Sequence, residues 1–466
     1  MLKIFNTLKR EKEEFIPQDS KEIKVYTCGV TVYDDCHIGH GRSLYTFEVI
    51  RRYLEYRGFK VKFVRNITDV DDKIINKARD WAKRNKISLK EAFENVRKTY
   101  IDSYYEDLKL LKIPLADFEP KATENIEDMI DFIKKLIDKD FAYIKEGNVY
   151  FRVRKFTSYG KLSKKNIEEL LNAVRIEPDP YKEDPLDFAL WKRKKEDEPF
   201  WNSCFGKGRP GWHIECSTMA KKFLANTLDI HGGGRDLIFP HHENEIAQSE
   251  SLTGKSFSLY WIHHGLITVE GEKMAKSLGN FFTLKEILKS HHHHEVLKLF
   301  YLSSHYSSSL DFSLEKLSEF KRQREKLYVV YEWFKDVEIE PLKNEEVIGL
   351  KERFEEAMDD DFNFSLAKTV LFSFSSLISS LDKNSSFAKE LKNLFFTIGR
   401  IFCLFEEEFS LDEEFKKYVE EKVKEREKLR KERKYLEADR IREELKNKGI
   451  VLEDLSDGST RWRVKR

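Results

Sequence analysis

A chain of 466 residues is long enough for about three domains, and with 84 Lys+Arg against 83 Asp+Glu its formal net charge is only +1. Overall charge therefore points to no nucleic-acid partner, and any such contact has to rest on local basic patches. Five unevenly spaced cysteines make no disulfide framework, the opening MLKIFNTLKREKEEF has no signal-peptide core, and no apolar run reaches the ~18 residues of a membrane span, so a reducing cytoplasm without membrane contact is expected.

EIKVYTC (22–28) predicts a first parallel strand, residues 40–57 its crossover helix with Gly58 as the stop, and KVKFVRNI (60–67) a second strand. Together they make a βαβ unit of nucleotide-binding size. His37 and His40 then stand three apart at a helix start, where unpaired backbone N–H groups and the helix dipole suit a triphosphate. Gly39 leaves room there for a base or phosphate to approach the backbone. Thr68–Lys73 leaves the second strand at the end where open α/β sheets bind ligands, although its aspartates also suit a helix N-terminus. Ser88 and Glu91 form a capping box that opens a helix through about Leu111.

Residues 114–205 form an insertion, with a helix near 124–139 and a hairpin around Glu146-Gly147. A polar, proline-punctuated stretch follows, and Trp191 and Trp201 are packing anchors. Pattern returns at Pro210–Cys216, which opens a helix over roughly 213–225. LDIHGGGRDL (228–237) is a buried strand running into a glycine turn, FPHHENE (239–245) starts another helix, and YWIHHGLITV (260–269) is a strand. A polar loop, Glu270 to Asn280, carries Lys273 and Lys276, and Thr283 with Glu286 caps the next helix. The run His291–His294 is better explained as a solvated loop or helix start than as a metal site. From about 313 the periodicity is helical, without a strand until the last few residues, and Leu371, Phe374, Leu377, Ile378 and Leu381 mark the core stripe of one helix.

The fold class is therefore α/β: a doubly wound, Rossmann-like domain over 1–312, interrupted at about 114–205. An all-α bundle over 313–410 and a small C-terminal domain over 411–466, whose basic run and Trp462 among arginines suit RNA, complete it. Chemistry gathers at two places. Cys28 at a strand end, Cys216 at a helix start, and His241 and Glu245 one helical turn apart make a Cys₂His-carboxylate set suited to Zn²⁺, one per chain. A closed structural cross-link is the alternative to a substrate-binding metal, and Cys36, Cys204 and Cys403 are expected to be buried packing residues. Backbone bared at Gly232–Gly234 suits an adenine or ribose, with Asp236 accepting from ribose hydroxyls; a plain tight turn is the alternative.

HIGH (37–40) after a strand resembles the signature of class I aminoacyl-tRNA synthetases. With TCGVTVYD, NITDVDDK, PGWHIECS, DIHGGGRDLIFPHHENEIAQ and KMAKS in this order, the chain resembles the cysteinyl-tRNA synthetase family over essentially its whole length. The resemblance implies ATP-dependent joining of L-cysteine to tRNA(Cys) through a cysteinyl-adenylate, with ATP entering as a Mg²⁺ complex, by a cytoplasmic monomer. It assigns the zinc to Cys28, Cys216, His241 and Glu245, and an amino-acid pocket to Gly29, Thr68 and Trp212. It also assigns the ATP contacts to His37, His40 and the loop lysines Lys273 and Lys276, where Ala275 replaces the usual serine. A soft thiolate–zinc bond selects cysteine over its near-isostere serine, which an apolar pocket separates poorly. The basic run Arg426–Lys434, residues 438–442 and Trp462 among arginines resemble an anticodon-binding end, with Tyr435 where a tryptophan is common. Two other readings are a paralogue that loads cysteine onto a small amine and a catalytically silent relative. The basic helical tail argues against the first, and the complete set of site residues against the second.

Overall fold

In the computed structural model the described residues are 1–173, 179–274, 278–289, 293–405, 413–447, 450–454 and 460–464. A hairpin, β1 (Lys3–Asn6) and β2 (Glu11–Glu14), opens the chain. The β-favouring run that follows becomes β3 (Glu22–Thr27), which leads through α1 (Ile38–Tyr56) to β4 (Lys60–Arg65). β3 and β4 pair in parallel from Glu22↔Lys60 to Thr27↔Arg65. Helices α2 (Asp72–Asn85) and α3 (Leu89–Leu110) come next, and Ser88 caps α3 by accepting from the Glu91 N–H.

The inserted segment contains α4 (Ile126–Asp138), β5 (Ala142–Lys145), β6 (Asn148–Phe151), α5 (Ile167–Ala173), β7 (Phe188–Arg193) and β8 (Gly208–Pro210). Its strands form an antiparallel sheet in chain order, β5-β6-β7-β8. Trp191 is fully buried there, as its anchoring role requires. Cys204 departs from expectation: it lies on the surface, whereas Cys36 and Cys403 are buried.

The chain then returns to the first sheet through α6 (Trp212–Phe223), β9 (Leu228–Gly234), α7 (Glu243–Thr253) and β10 (Ser258–His264). The parallel sheet has the order β10-β9-β3-β4. Its two halves wind outward from the β3–β9 pair, which leaves the ligand crevice of a doubly wound sheet at the carboxyl ends of those two strands. The strand expected over 260–269 is broken after His264, and β11 (Ile267–Val269) joins a different sheet with β12 (Glu272–Lys273) and β13 (Leu310–Phe312). Gly265 causes the break: its N–H donates to Tyr306 O and its carbonyl accepts from Arg42, so neither group serves a ladder. Between β12 and β13 lie α8 (Leu284–Lys289), with Thr283 and Glu286 in the expected cap, and α9 (His294–Tyr301).

Four helices follow: α10 (Leu314–Phe334), α11 (Glu345–Asp359), α12 (Phe364–Leu377) and α13 (Ser386–Ile401). Leu371, Phe374 and Ile378 are buried, but α12 stops at Leu377, so the expected stripe outruns the helix and Leu377 and Leu381 are only half-buried. Last come α14 (Glu413–Lys431), α15 (Tyr435–Asn447) and an antiparallel pair, β14 (Ile450–Asp454) with β15 (Thr460–Val464). The first of these strands was not expected from the helical periodicity. This unit has its own small core of Val419, Val423, Ile441, Leu445, Ile450 and Leu452.

Two residues of the expected RNA face turn inward. Arg426 is buried and donates to Asp454 and Thr460, while Trp462 packs half-buried on the small core. Arg430 and Arg442 also meet Asp454, so part of the basic run holds the hairpin to the helices. The exposed aromatic is Tyr435, beside an exposed Leu436 at the α14–α15 turn. No helix among the described residues is long and apolar enough to cross a membrane.

Candidate active site

α1 begins with a reciprocal cap. His37 is the extended N-cap residue, and its Nδ1 accepts from Gly39 N (3.0 Å) and His40 N (3.2 Å). His40 Nδ1 accepts from His37 N in return (3.2 Å), and the two rings stack with centroids 3.7 Å apart. The N–H groups expected to await a phosphate are thus taken by the histidines themselves. Because each Nδ1 accepts, each neutral ring carries its proton on Nε2, which becomes the donor. Gly39 lines the cavity and also makes room for the His37 ring: a Cβ there would lie 2.8 Å from His37 Cε1. Burial, with help from His37, pushes His40 well below the usual histidine range, so its ring is neutral.

The crevice at the ends of β3 and β9 is a cavity of about 420 Å³. Its walls bring together Cys28, Gly29, His37, His40, Thr68, Trp212, Cys216, Asp236, His241 and Lys273. Gly233 is not part of the wall. Its α-carbon faces His242, where a Cβ would stand 2.8 Å from Cε1, and Gly234 lines the cavity in its place. Lys276 lies outside the described residues, as do His291 and His292. Lys73, from the segment after β4, lines the same cavity with its ammonium over Tyr33.

At the floor, Cys28 Sγ lies 3.7 Å from Cys216 Sγ and 3.4 Å from Glu245 Oε1, and His241 Nε2 lies 3.0 Å from the same oxygen. His241 stands in the widened helical turn Ile238–His242 that runs directly into α7, one turn before Glu245 as the spacing suggested, and the pair converges. All four donor atoms lie within 4.8 Å of one another and are buried. A tetrahedral Zn²⁺ with Zn–S of about 2.3 Å and Zn–N/O of about 2.0–2.1 Å needs donor separations of about 3.3–3.8 Å. The Cys28–Cys216 and Cys28–Glu245 separations fall in that range, the His241–Glu245 pair is closer at 3.0 Å, and the donor types suit Zn²⁺.

The cluster also polarises itself. Burial and the neighbouring Cys216 push the Cys28 thiol well up. Burial would raise Cys216 too, but the hydrogen bond from Cys28 and the charge of His241 outweigh it and bring the thiol to about 6. Burial would raise Glu245, and His231 and His241 overcome that to hold it well below the carboxylate range. The same contacts, with Glu245 foremost, lift His241 against burial to about 10.

Spacing alone did not disclose the supporting groups. His231 Nε2 lies 2.9 Å from Glu245 Oε2, and with His242, Cys28 and Glu245 it forms a second converging donor set. His213 Nδ1 meets His241 Nδ1 at 2.9 Å, and Trp212 stacks on the His241 ring at 4.2 Å. Asn66 ties the pocket together: its Oδ1 accepts from Gly29 N, its Nδ2 donates to Thr68 Oγ1, and Cys216 Sγ is 3.6 Å away. The detectable signal was the density of histidines beside the metal candidates; which of them face inward depends on strand register.

Comparison with known proteins gives the class first. Residues 14–322 match the family model described as tRNA synthetases class I (C) catalytic domain, and residues 353–406 match a DALR domain. Among solved structures, methionyl-tRNA synthetase of Mycobacterium tuberculosis with methionyl-adenylate is similar at TM-score 0.56 and 14% identity, over 82% of this chain and 89% of that one. The leucyl enzyme agnB2 LeuRS of Agrobacterium radiobacter K84, in a ternary complex, is similar at TM-score 0.59 and 10% identity, over 84% of each chain. These likenesses show the fold. Among relatives, the cysteine–tRNA ligase of Persephonella marina is 48% identical over 100% of both chains, and that of Caldicellulosiruptor saccharolyticus is 46% identical over 100% of both. The chain belongs to the cysteine–tRNA ligase family.

Proposed function

We infer that the protein joins L-cysteine to tRNA(Cys) in two steps at the cavity beside β3 and β9. The cysteine carboxylate attacks the α-phosphorus of Mg²⁺-ATP and expels pyrophosphate. A terminal ribose hydroxyl of the tRNA then attacks the adenylate carbonyl and releases AMP. The observation that carries this reading is the shared cavity, with a thiol-accepting donor cluster on its floor and a stacked histidine pair on its wall.

Charge develops on the phosphoryl oxygens during the first step, and preorganised donors stabilise it best. His37 and His40 supply Nε2–H groups fixed by their caps, and Lys273 and Lys276 supply positive charge. Asp236 accepts from the ribose, while Gly29, Thr68 and Trp212 enclose the amino acid. Cys28, Cys216, His241 and Glu245 would hold one Zn²⁺, whose affinity for thiolate is a contact that serine does not equal. The domain division is 1–312, 313–410 and 411–466. Tyr435 and the neighbouring basic residues then offer the last domain's stacking surface for an unpaired base. On this reading the enzyme is a cytoplasmic monomer.

Cysteine-dependent ATP–pyrophosphate exchange, followed by tRNA charging, tests the assignment. Exchange without charging would move it to a small-amine ligase, and absence of exchange would remove it. Zinc stoichiometry near one in wild type and well below one in Cys216→Ser is expected, with exchange lost by about 10²-fold or more. Full zinc and full exchange in that variant would remove the metal role.

A further inference from the structure

Two series of contacts lead away from the cavity and end on one side chain. The first starts where Gly265 and Leu266 line it. Arg42, almost fully buried, donates to their carbonyls at 2.9 and 3.0 Å, and to Tyr306 O and Ser308 O at 3.1 and 2.6 Å. Tyr306 donates its hydroxyl to Asp361 Oδ1 at 2.7 Å. The second series starts at the floor. His242 Nε2 lies 3.3 Å from Cys28 Sγ, its Nδ1 is 2.8 Å from His263 Nε2, and His263 Nδ1 is 2.8 Å from Thr7 Oγ1. Thr7 directly follows β1, and Phe5 in that strand donates its N–H to the same Asp361 Oδ1 at 2.8 Å. Lys3 closes the contact by accepting from Asp361 N at 2.9 Å.

Asp361 sits in the turn between α11 and α12 and is 2% exposed. Its φ is 61° and that of Phe362 is 50°, left-handed values that two successive non-glycine residues keep only where surrounding contacts hold them. The flanking aspartates have other partners: Asp359 accepts from Tyr53 and Arg57 of α1 and its end, and the exposed Asp360 meets Lys12. The run of three acids is therefore not one solvated patch. Only its last member faces both series.

We propose that Asp361 is a positioning residue for cysteine activation. It touches neither substrate. Through Tyr306 and Arg42 it fixes the carbonyl-bearing segment on the nucleotide side, and through β1 it fixes the histidines behind the thiol side. The proposal rests on the cavity being the cysteine- and ATP-activating site.

The two routes separate experimentally. In the full-length, zinc-loaded protein, Tyr306→Phe is expected to raise the KM for ATP about fivefold and Thr7→Val the KM for cysteine about fivefold, each leaving the other KM within about twofold. Asp361→Ala raises both and lowers kcat/KM in pyrophosphate exchange by about tenfold or more. Asp361→Asn, which keeps an acceptor oxygen, stays within about twofold of wild type, as does Asp360→Asn. If the single-route variants lower only the unfolding midpoint, or if both shift the two KM values together, the proposal is overturned even if Asp361→Ala does not fold. If Asp361→Asn loses as much as Asp361→Ala, the acceptor geometry is not the cause and the proposal fails. Absence of cysteine-dependent exchange in wild type would instead overturn the function on which it rests.

Discussion

The two nitrogens of each imidazole at the start of α1 have different jobs, and substitutions can separate them. An asparagine amide reaches about as far as Nδ1, and a glutamine amide about as far as Nε2. His40→Asn is expected to keep the cap and the stability while losing the donor, slowing exchange by about 10²-fold. His40→Gln should lose about 1 kcal/mol of stability with the cap, yet retain more activity. Exchange rates beside urea unfolding of the two variants check the pair. A larger activity loss in the glutamine variant would show that the cap, not the Nε2 donor, is what the reaction needs. The convergence of the four candidate metal donors was legible at this scale because strand ends and helix starts announce themselves locally. The room left at Gly39 and Gly233 was less legible for the opposite reason. What a missing Cβ makes room for depends on which side chain folds back over it, and spacing carries no record of that.

Among the elements, the C-terminal hairpin shows how a charged run can be structural. Three arginines from α14 and α15 converge on Asp454, and one of them, Arg426, is buried. The hydrogen bond from Arg426 holds the Asp454 carboxyl well below the usual range. A depressed carboxyl contributes stability above its unfolded pKa, and this is lost as pH falls towards the folded value. Protection of residues 413–464 from hydrogen exchange or proteolysis is therefore expected to weaken below about pH 4. Asp454→Ala leaves Arg426 only its bond to Thr460 and should cost this unit about 2 kcal/mol, a buried-pair loss discounted for the partly exposed carboxylate. Unchanged protection across that pH range would contradict the assignment. Periodicity located the helices here, but 450–454 has too few residues to set a strand apart from a helix end. Likewise the break after His264 was hidden, since its cause, Arg42, stands 223 positions from Gly265.

Across the whole molecule, the proposed zinc donors come from four places: the end of β3, α6, the turn before α7, and α7 itself. A metal that binds only this assembled set stabilises the folded chain by mass action. Chelation should lower the unfolding midpoint of wild type and leave that of Cys216→Ser nearly unmoved; calorimetry with and without chelator measures the difference. The doubly wound sheet was readable from alternation and loop positions. The wiring that joins its crevice to the helical half was not, because most of its contacts link residues more than 200 positions apart. That wiring has a consequence for biosynthesis. Phe5 leaves the ribosome well ahead of its partner Asp361, which is 356 positions later. At elongation rates of about 5–20 residues per second, β1 waits on the order of half a minute for the contact that completes it. A nascent or truncated chain ending before this turn can carry all four candidate metal donors and both histidines and still lack the proposed Asp361 clasp, so on that proposal activity arrives late in synthesis.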